Sequence, residues 1–251
     1  MFASNSTNAI YDAALALFYP QACAVCAASV ESRFDGVVCD RCWTDANLFA
    51  IDDPLCWKCG APARTRVTDE QREQVRCRRC DESSFTVARA CGLYEGALRA
   101  NVIALKRDPR VARRLALLLH EVSRRAPLNS ATLIVPVPLH PQREKQRGFN
   151  QAAELAGSLS KLTGLPVADQ SLCRRQHTGR HRAGMDAQAR RESVENAFEV
   201  AQPRVILDEQ VLLIDDVFTT GATVSACART LRDAGAREVF VLTVARPAAQ
   251  L

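Results

Sequence analysis

The stretch Val211-Leu-Leu-Ile-Asp-Asp-Val-Phe-Thr-Thr-Gly-Ala-Thr223 changes character twice. Val211 to Ile214 is a short apolar run, as expected of a parallel strand buried on both faces. Asp215 and Asp216 follow, then Thr219-Thr220-Gly221-Ala222-Thr223, then helical spacing from Val224 to Ala234. Strand, acid pair, small-residue loop and helix in this order form a phosphate site. The loop N–H groups and the helix N-terminus point at one place, where partial positive charge favours an anion. Threonine hydroxyls add donors, and Gly221 lets backbone come close to the anion's oxygens. The acids lie at the carboxyl end of the strand, where open α/β sheets bind ligands. They repel phosphate and so require hydroxyls or a cation. A ligand with a phosphate at one end and a vicinal diol at the other, such as a ribose 5-phosphate, satisfies both. Acids and glycine are also common in ordinary strand-to-helix turns. Two adjacent acids beyond a buried strand, however, are costly unless a ligand uses them. A Walker loop is excluded, because no Gly-Lys-Ser/Thr follows.

This stretch resembles the phosphoribosyl pyrophosphate (PRPP) motif of type I phosphoribosyltransferases. The resemblance implies that Asp215 and Asp216 hold the ribose 2- and 3-hydroxyls. It implies that Thr219, Thr220, Gly221, Ala222 and Thr223 wrap the 5-phosphate.

The chain has 251 residues, enough for one α/β domain and a small module. Apolar residues make up 47%, so a sizeable core is expected and gross disorder is not. The net charge of +5 suits anionic ligands but is too mild to establish nucleic-acid binding. No run of about 20 apolar residues is present, so no membrane insertion is expected. The start, Met1-Phe-Ala-Ser-Asn-Ser-Thr-Asn8, lacks the basic region of a signal peptide. The expected compartment is the cytoplasm, where cysteines serve more often as metal ligands than in disulfides.

Thr7 or Asn8 can cap a short helix through Phe18, stopped by Pro20. Four Cys-x-x-Cys pairs follow: Cys23/Cys26, Cys39/Cys42, Cys56/Cys59 and Cys77/Cys80. Two thiolates three residues apart grip one Zn²⁺ from a tight knuckle, and two knuckles complete a tetrahedron. Eight ligands therefore fit two structural zinc sites. Sequential pairing is the simplest arrangement, with an interleaved one still open. Thioredoxin-type motifs come singly, which disfavours a redox role. Trp43, Leu48, Phe49 and Trp57 are expected to pack around the knuckles, and folding here should depend on metal. The basic residues of this segment suit either a solvated surface or contact with nucleic acid. Cys91, Cys173 and Cys227 lack partner spacing and read as small apolar fillers.

The second unit is expected to begin at Phe85, giving residues 1–84 as the cysteine-rich module and 85–251 as the α/β domain. Phe85 to Tyr94 is β-like, Gly96 to Lys106 helical, and Arg110 to Arg125 helical after a break at Pro109. Lys106 ends an apolar run, where a snorkelling surface lysine is the default. Thr132-Leu-Ile-Val-Pro-Val-Pro-Leu139 is a strand entering a proline-stiffened loop. His140 to Arg147 is polar and basic, and Gly148-Phe-Asn-Gln151 opens a helix through Leu162. Val239 to Val244 is a last strand. Strands alternating with helices imply a parallel sheet flanked by helices.

Leu105-Lys106, Pro136-Val-Pro-Leu139, Arg147-Gly-Phe-Asn-Gln151, Ala197-Phe198 and the Asp215-to-Thr223 motif together resemble the ComF family. That family joins an N-terminal double zinc ribbon to a type I phosphoribosyltransferase-like domain. The resemblance implies that the loop at Pro138 and Leu139 receives pyrophosphate. Arg147 and Lys106 then stabilise the leaving group, with Arg143 and Lys145 as further cations nearby. It implies Mg²⁺ accompanying PRPP. The basic segment Arg174 to Arg191 falls where type I enzymes have a closing loop. His181 stands there where the family has Gln, and Ser193 where it has Asn.

Two functions follow from the resemblance. One is transfer of phosphoribosyl to a nitrogen acceptor with release of pyrophosphate, in a protein linked to DNA uptake and natural transformation. The other is a non-catalytic PRPP sensor that binds single-stranded DNA beside the DNA-uptake machinery. Glutamine-dependent amidophosphoribosyltransferases carry an N-terminal nucleophilic Cys, whereas Met1-Phe2 leads here into the zinc module, so that subclass is not expected.

Overall fold

The computed structural model describes residues 21–30, 35–63, 75–77, 80–174 and 197–248. The expected helix from Thr7 to Phe18 and nearly all of the basic segment after Arg174, with His181 and Ser193, lie outside them.

Six strands and seven α-helices are formed among the described residues. Helix α1 is Asp40–Thr44; β1 is Val87–Leu93; α2 is Gly96–Leu105; α3 is Arg113–Ser123; β2 is Leu133–Pro136. Helices α4 (Pro141–Arg147) and α5 (Gln151–Thr163) follow, then β3 (Leu172–Arg174) and β4 (Phe198–Val200). The chain continues through α6 (Pro203–Ile206), β5 (Gln210–Val217), α7 (Ala222–Asp233) and β6 (Glu238–Arg246). The main sheet has the order β1-β6-β5-β2 and is parallel throughout, while β3 and β4 pair antiparallel beside it.

Burial explains the composition of the central strands. Val211 and Leu213 face one core with Val224, Cys227 and Leu231 of α7. Leu212 and Ile214 face the other, with Leu115 and Leu119 of α3 and Leu155 and Leu159 of α5. With both faces covered, β5 and β6 need apolar residues at every position rather than at alternate ones. Cys91 and Cys227 fill these cores, as expected, whereas Cys173 is only half-buried.

The cysteine-rich segment packs against the sheet rather than beside it. Cys23, Cys39, Cys42 and Trp43 share the core of α3 and α5, whereas Cys56, Cys59 and Cys80 share the core of α7. The cysteine-rich segment also covers the open edge of β1, at Asn47 and Phe49 after the first cluster and at Lys58 within the second. The Phe49 N–H donates to the Cys91 carbonyl at 2.9 Å and the Leu93 N–H to the Asn47 carbonyl at 2.9 Å. Lower on the strand, the Ala88 N–H donates to the Lys58 carbonyl at 2.7 Å. At the opposite edge, residues 166–168 run along β2, with Ile134 bonded to Pro166 and Ala168. Among the described residues, both edges of the main sheet are thus met by other backbone, which limits pairing with another chain.

Four local expectations are corrected. The helix expected from Arg110 starts at Arg113, because Asp108 holds the Arg110 N–H and guanidinium in a turn. The basic run from His140 is a helix, not a loop. His140 Nδ1 accepts from the Gln142 N–H at 3.2 Å, Pro141 pre-sets the first turn and Gly148 closes it at φ +80°. Strand β5 runs on past Ile214 to Val217, so the two acids are paired within the sheet, with Asp215 opposite Thr243. Helix α7 begins at Ala222, and Ala222 and Thr223 lie in its first turn.

Gly92 sits where β1 meets the first knuckle. A Cβ there would lie 2.3 Å from the Asn47 oxygen and 2.9 Å from the Leu48 Cα. Backbone atoms cannot swing away as a side chain can. Gly92→Ala is expected to cost about 1–3 kcal/mol through this overpacking, read as a lowered urea midpoint of the zinc-loaded protein.

Candidate functional site

The eight knuckle cysteines form two groups, Cys23/Cys26/Cys39/Cys42 and Cys56/Cys59/Cys77/Cys80, with the sulfurs of each within 4.8 Å of one another. The pairing is therefore sequential. Tetrahedral Zn–S bonds of about 2.3 Å place sulfurs about 3.8 Å apart. Here Cys26 and Cys39 are 3.6 Å apart, Cys56 and Cys80 3.7 Å, and Cys59 and Cys77 3.5 Å. Knuckle amides point at the sulfurs: the Cys39 N–H donates to Cys23 Sγ at 3.4 Å and the Cys77 N–H to Cys56 Sγ at 3.3 Å.

The thiols also demand a cation. Burial pushes Cys23 up, but the amides of Cys39, Cys26 and Val25 outweigh it and bring the thiol to about 6. Hydrogen bonding from Cys59, against burial, brings Cys56 to about 4. Their neighbours move the other way: Cys42 and Cys59 are raised chiefly by the thiol beside them, and Cys80 chiefly by burial, to about 12. Four thiols this close cannot all ionise without a dication among them. Both clusters fit zinc.

The second constellation lies at the carboxyl end of the main sheet, above β5 and β2. Strand alternation turns Asp215 towards the Leu213 face and Asp216 towards the Ile214 face. The Asp216 N–H donates to Asp215 Oδ1 at 2.8 Å. Asp216 Oδ2 lies 3.5 Å from Lys106 Nζ and accepts from Gln151 Nε2 at 3.4 Å. Gln151 in turn accepts from the Arg147 guanidinium at 2.8 Å. Three segments thus meet at the Asp216 carboxylate, β5 itself, Lys106 just after α2 and Gln151 at the start of α5, and Arg147 of α4 is linked to it through Gln151. Burial and the adjacent Asp216 carboxylate push the Asp215 carboxyl up to about 8.

The Thr/Gly loop closes the same end. Phe218 is buried, Thr219 and Thr220 are exposed, and Gly221 takes φ +81°. The Thr220 hydroxyl accepts from the Ala222 N–H at 3.3 Å. Gly221, the N-cap of α7, supplies no side-chain cap, so the first turn presents backbone N–H groups outward. A β-carbon at Gly221 would lie 2.7 Å from the Phe218 ring, so the glycine answers both the left-handed φ and the ring.

The structure brings Lys106, Arg147, Asp215 and Asp216 together. Lys106 is an ion-pair partner of Asp216 rather than a free snorkelling lysine. Pro138 and Leu139 are half-buried beside the same crevice, where the Val137 N–H donates to the Ile214 carbonyl at 2.9 Å. Arg143 and Lys145 are exposed on α4. Of the residues expected to pack around the knuckles, Trp43 and Phe49 are buried and Trp57 is partly so, whereas Leu48 stays exposed. Gln151 had been quoted only as part of a motif. Its position three residues after a Gly left-handed cap, at the first turn of a helix, was the available signal.

A family model described as a double zinc ribbon domain matches residues 14–81. The DNA utilization protein YhgH of Salmonella typhimurium is 30% identical over 240 residues, spanning 92% of this chain and 93% of that protein. Competence protein F of Haemophilus influenzae is 36% identical over 140 residues, which cover 55% of this chain and 61% of that one. Among solved structures, a phosphoribosyltransferase from Corynebacterium diphtheriae covers 61% of this chain and 69% of its own, at 21% identity and a TM-score of 0.35. That likeness is too slight to place a residue. The class is a zinc-ribbon protein with a parallel α/β sheet flanked by helices. Within that class the chain belongs to the ComF family. Among the described residues no helix is long and apolar enough to cross a membrane.

Two outcomes test these sites. Plasma mass spectrometry of protein purified without chelator is expected to find two zinc ions per chain, one for each cluster, with one lost in Cys39→Ala. The second concerns Asp215, which keeps its proton in the folded chain up to about pH 8. An unfolded aspartate loses it near pH ~4. Between those values the folded chain binds the extra proton, so this group's contribution to stability falls as pH rises. Urea unfolding from about pH 6 to 8, above the range where zinc thiolates protonate, should therefore show Asp215→Asn gaining on wild type as pH rises.

Proposed function

We propose that the crevice over β5 and β2 binds PRPP and that the protein transfers its phosphoribosyl group to a nitrogen acceptor. The observation that carries this is the meeting of Lys106 and Gln151, the latter held by Arg147, with an acid pair beside a helix N-terminus whose N-cap residue, Gly221, supplies no side-chain cap. The α7 first turn and the Thr219–Thr223 loop hold the 5-phosphate. Asp215 and Asp216 accept hydrogen bonds from the ribose hydroxyls, and Asp215, raised to about 8 by burial and its neighbour, ionises when a cation or hydroxyl donors arrive. The two carboxylates are hard oxygen donors suited to Mg²⁺ held jointly with phosphates, which would neutralise the diphosphate. Pro138, Leu139 and Arg147 face the departing diphosphate, and Lys106 offers it a cation from the other side.

In the transfer the C1–oxygen bond to the diphosphate breaks and pyrophosphate leaves with the electron pair. The acceptor nitrogen forms the new bond to C1 and gives up its proton to solvent. The chain supplies positioning and charge stabilisation rather than a covalent nucleophile. The names of its relatives, Competence protein F and DNA utilization protein, support a role in competence and the use of DNA, which we place in the cytoplasm. We further propose that residues 1–84 serve as the zinc-stapled base on which the domain from Phe85 is built.

A second function is favoured by a specific feature. Arg107 is exposed next to Lys106, and Arg143 and Lys145 are exposed on α4, which carries Arg147. Such cations suit single-stranded DNA, whose binding would weaken steeply with salt. The chain would then be a PRPP sensor, not an enzyme.

Calorimetric titration with PRPP and Mg²⁺ is expected to show saturable binding that is lost in Asp215→Ala/Asp216→Ala. Lys106→Ala should weaken it by about 1–2 kcal/mol, the scale of a charge-assisted contact. Absence of binding by folded, zinc-loaded wild type would sink the phosphoribosyl assignment. Binding without pyrophosphate release across candidate amines, together with salt-sensitive capture of single-stranded DNA, would favour the sensor.

A further inference from the structure

Arg246, the last residue of β6, is buried at 8% exposure. Its guanidinium donates to the carbonyl of Cys59 at 2.6 Å, and Cys59 belongs to the second zinc cluster. Its Nε is buried without a hydrogen-bond partner, and among the described residues no carboxylate pairs with it. The guanidinium carbon lies 5.1 Å from the centre of the Phe218 ring. Phe218 stands edge to face with Phe85 at 5.9 Å, and its N–H is tied to Ala245, the residue before Arg246, at 2.9 Å. The far edge of the same ring supports Gly221, the residue that opens α7. One unbroken line of contacts runs from a zinc ligand through Arg246 and Phe218 to the loop over the acid pair.

A buried guanidinium with no carboxylate is costly. What offsets it here is the second cluster. Four thiolates around one dication leave a net negative charge, and Arg89, which donates to the Trp57 and Ala88 carbonyls at 2.8 Å, answers it from the other side. Without metal the knuckle that presents the Cys59 carbonyl is not held in shape. Arg246 then loses that anchor beside Phe218, and the ring loses the contact that holds it under Gly221.

We propose that Arg246 is a positioning residue through which the second zinc centre sets the shape of the anion loop, taking that loop to be the 5-phosphate site proposed above. The coupling is reciprocal: metal in the second cluster favours anion binding, and anion binding is felt at that metal and not at the first.

The test uses the full chain with ribose 5-phosphate as probe, in buffer free of magnesium. Arg246→Met keeps the length of the side chain and removes the guanidinium. It is expected to bind the probe at least about tenfold more weakly, within the usual range of coupling between sites, while both metals are retained. Arg125→Met is the control. Arg125 makes the same kind of bond to the first ribbon, donating to the Phe49 carbonyl at 2.9 Å, but touches nothing in the loop. It should bind the probe as wild type does. Cadmium-113 resonances of the cadmium-substituted protein give a readout that loss of packing would not mimic. Arg246→Met should displace one of the two resonances. Saturating ribose 5-phosphate should displace that same resonance in wild type and neither in the variant. If Arg246→Met does not fold, Phe218→Leu carries the test, since it leaves the Cys59 contact in place and should weaken binding and uncouple the metal alike. Wild-type affinity in Arg246→Met, or in Phe218→Leu where that variant stands in, overturns the proposal and leaves the phosphoribosyl site standing, as does a probe that displaces both resonances or neither. Failure of wild type to bind either ribose 5-phosphate or PRPP overturns both.

Discussion

A four-stranded parallel sheet has two apolar faces and two open edges, and the edge of β1 is closed here by backbone that only metal can hold in shape. The Asn47 and Lys58 carbonyls and the Phe49 N–H complete the hydrogen bonding of β1. They come from knuckles with few apolar residues of their own. A structural zinc contributes about 10–16 kcal/mol, as much as the whole stability of an ordinary domain. That is enough to order a knuckle that could not pack alone. Once ordered, each knuckle adds its cysteines to a core of the sheet, the first on the α3 and α5 face and the second on the α7 face. The ribbon and the sheet are halves of one packing problem.

The same sheet explains the acids. Carboxylates inside a parallel sheet would be insupportable at Leu212 or Leu213, where both faces are sealed. At Asp215 and Asp216 the strand reaches the end where connections diverge and water enters. Asp216 is compensated by Lys106 and Gln151. Asp215 holds its proton because burial and the adjacent Asp216 carboxylate outweigh the Asp216 backbone N–H it accepts from. That asymmetry marks the pair as prepared for a partner that brings positive charge or hydroxyls.

Much of this was legible beforehand, for local reasons. Cys-x-x-Cys spacing is a knuckle wherever it occurs, and four of them in order made sequential pairing the simplest arrangement, which the sulfur distances select over the interleaved one. The apolar run at Val211 and the acids after it located the crevice, because strand burial and chain direction are both written in neighbouring residues. What failed locally was equally local: the His140 to Arg147 run was read by its charge, when its cap residues, His140, Pro141 and Gly148, had already specified a helix.

The sequence by itself determined the central strands, the eight cysteines that would hold metal and where two acids would meet a small-residue loop, since each depends on residues a few positions apart. Tertiary structure alone decided that Lys106 would pair with Asp216 and that Gln151 would link Arg147 to it, because that depends on how α2, α4 and α5 dock over β5. It alone placed Arg246 against Cys59, 187 residues earlier in the chain. No periodicity or spacing reports such a contact. It exists because β6 lies beside β1, and β1 is the strand whose edge the second knuckle covers.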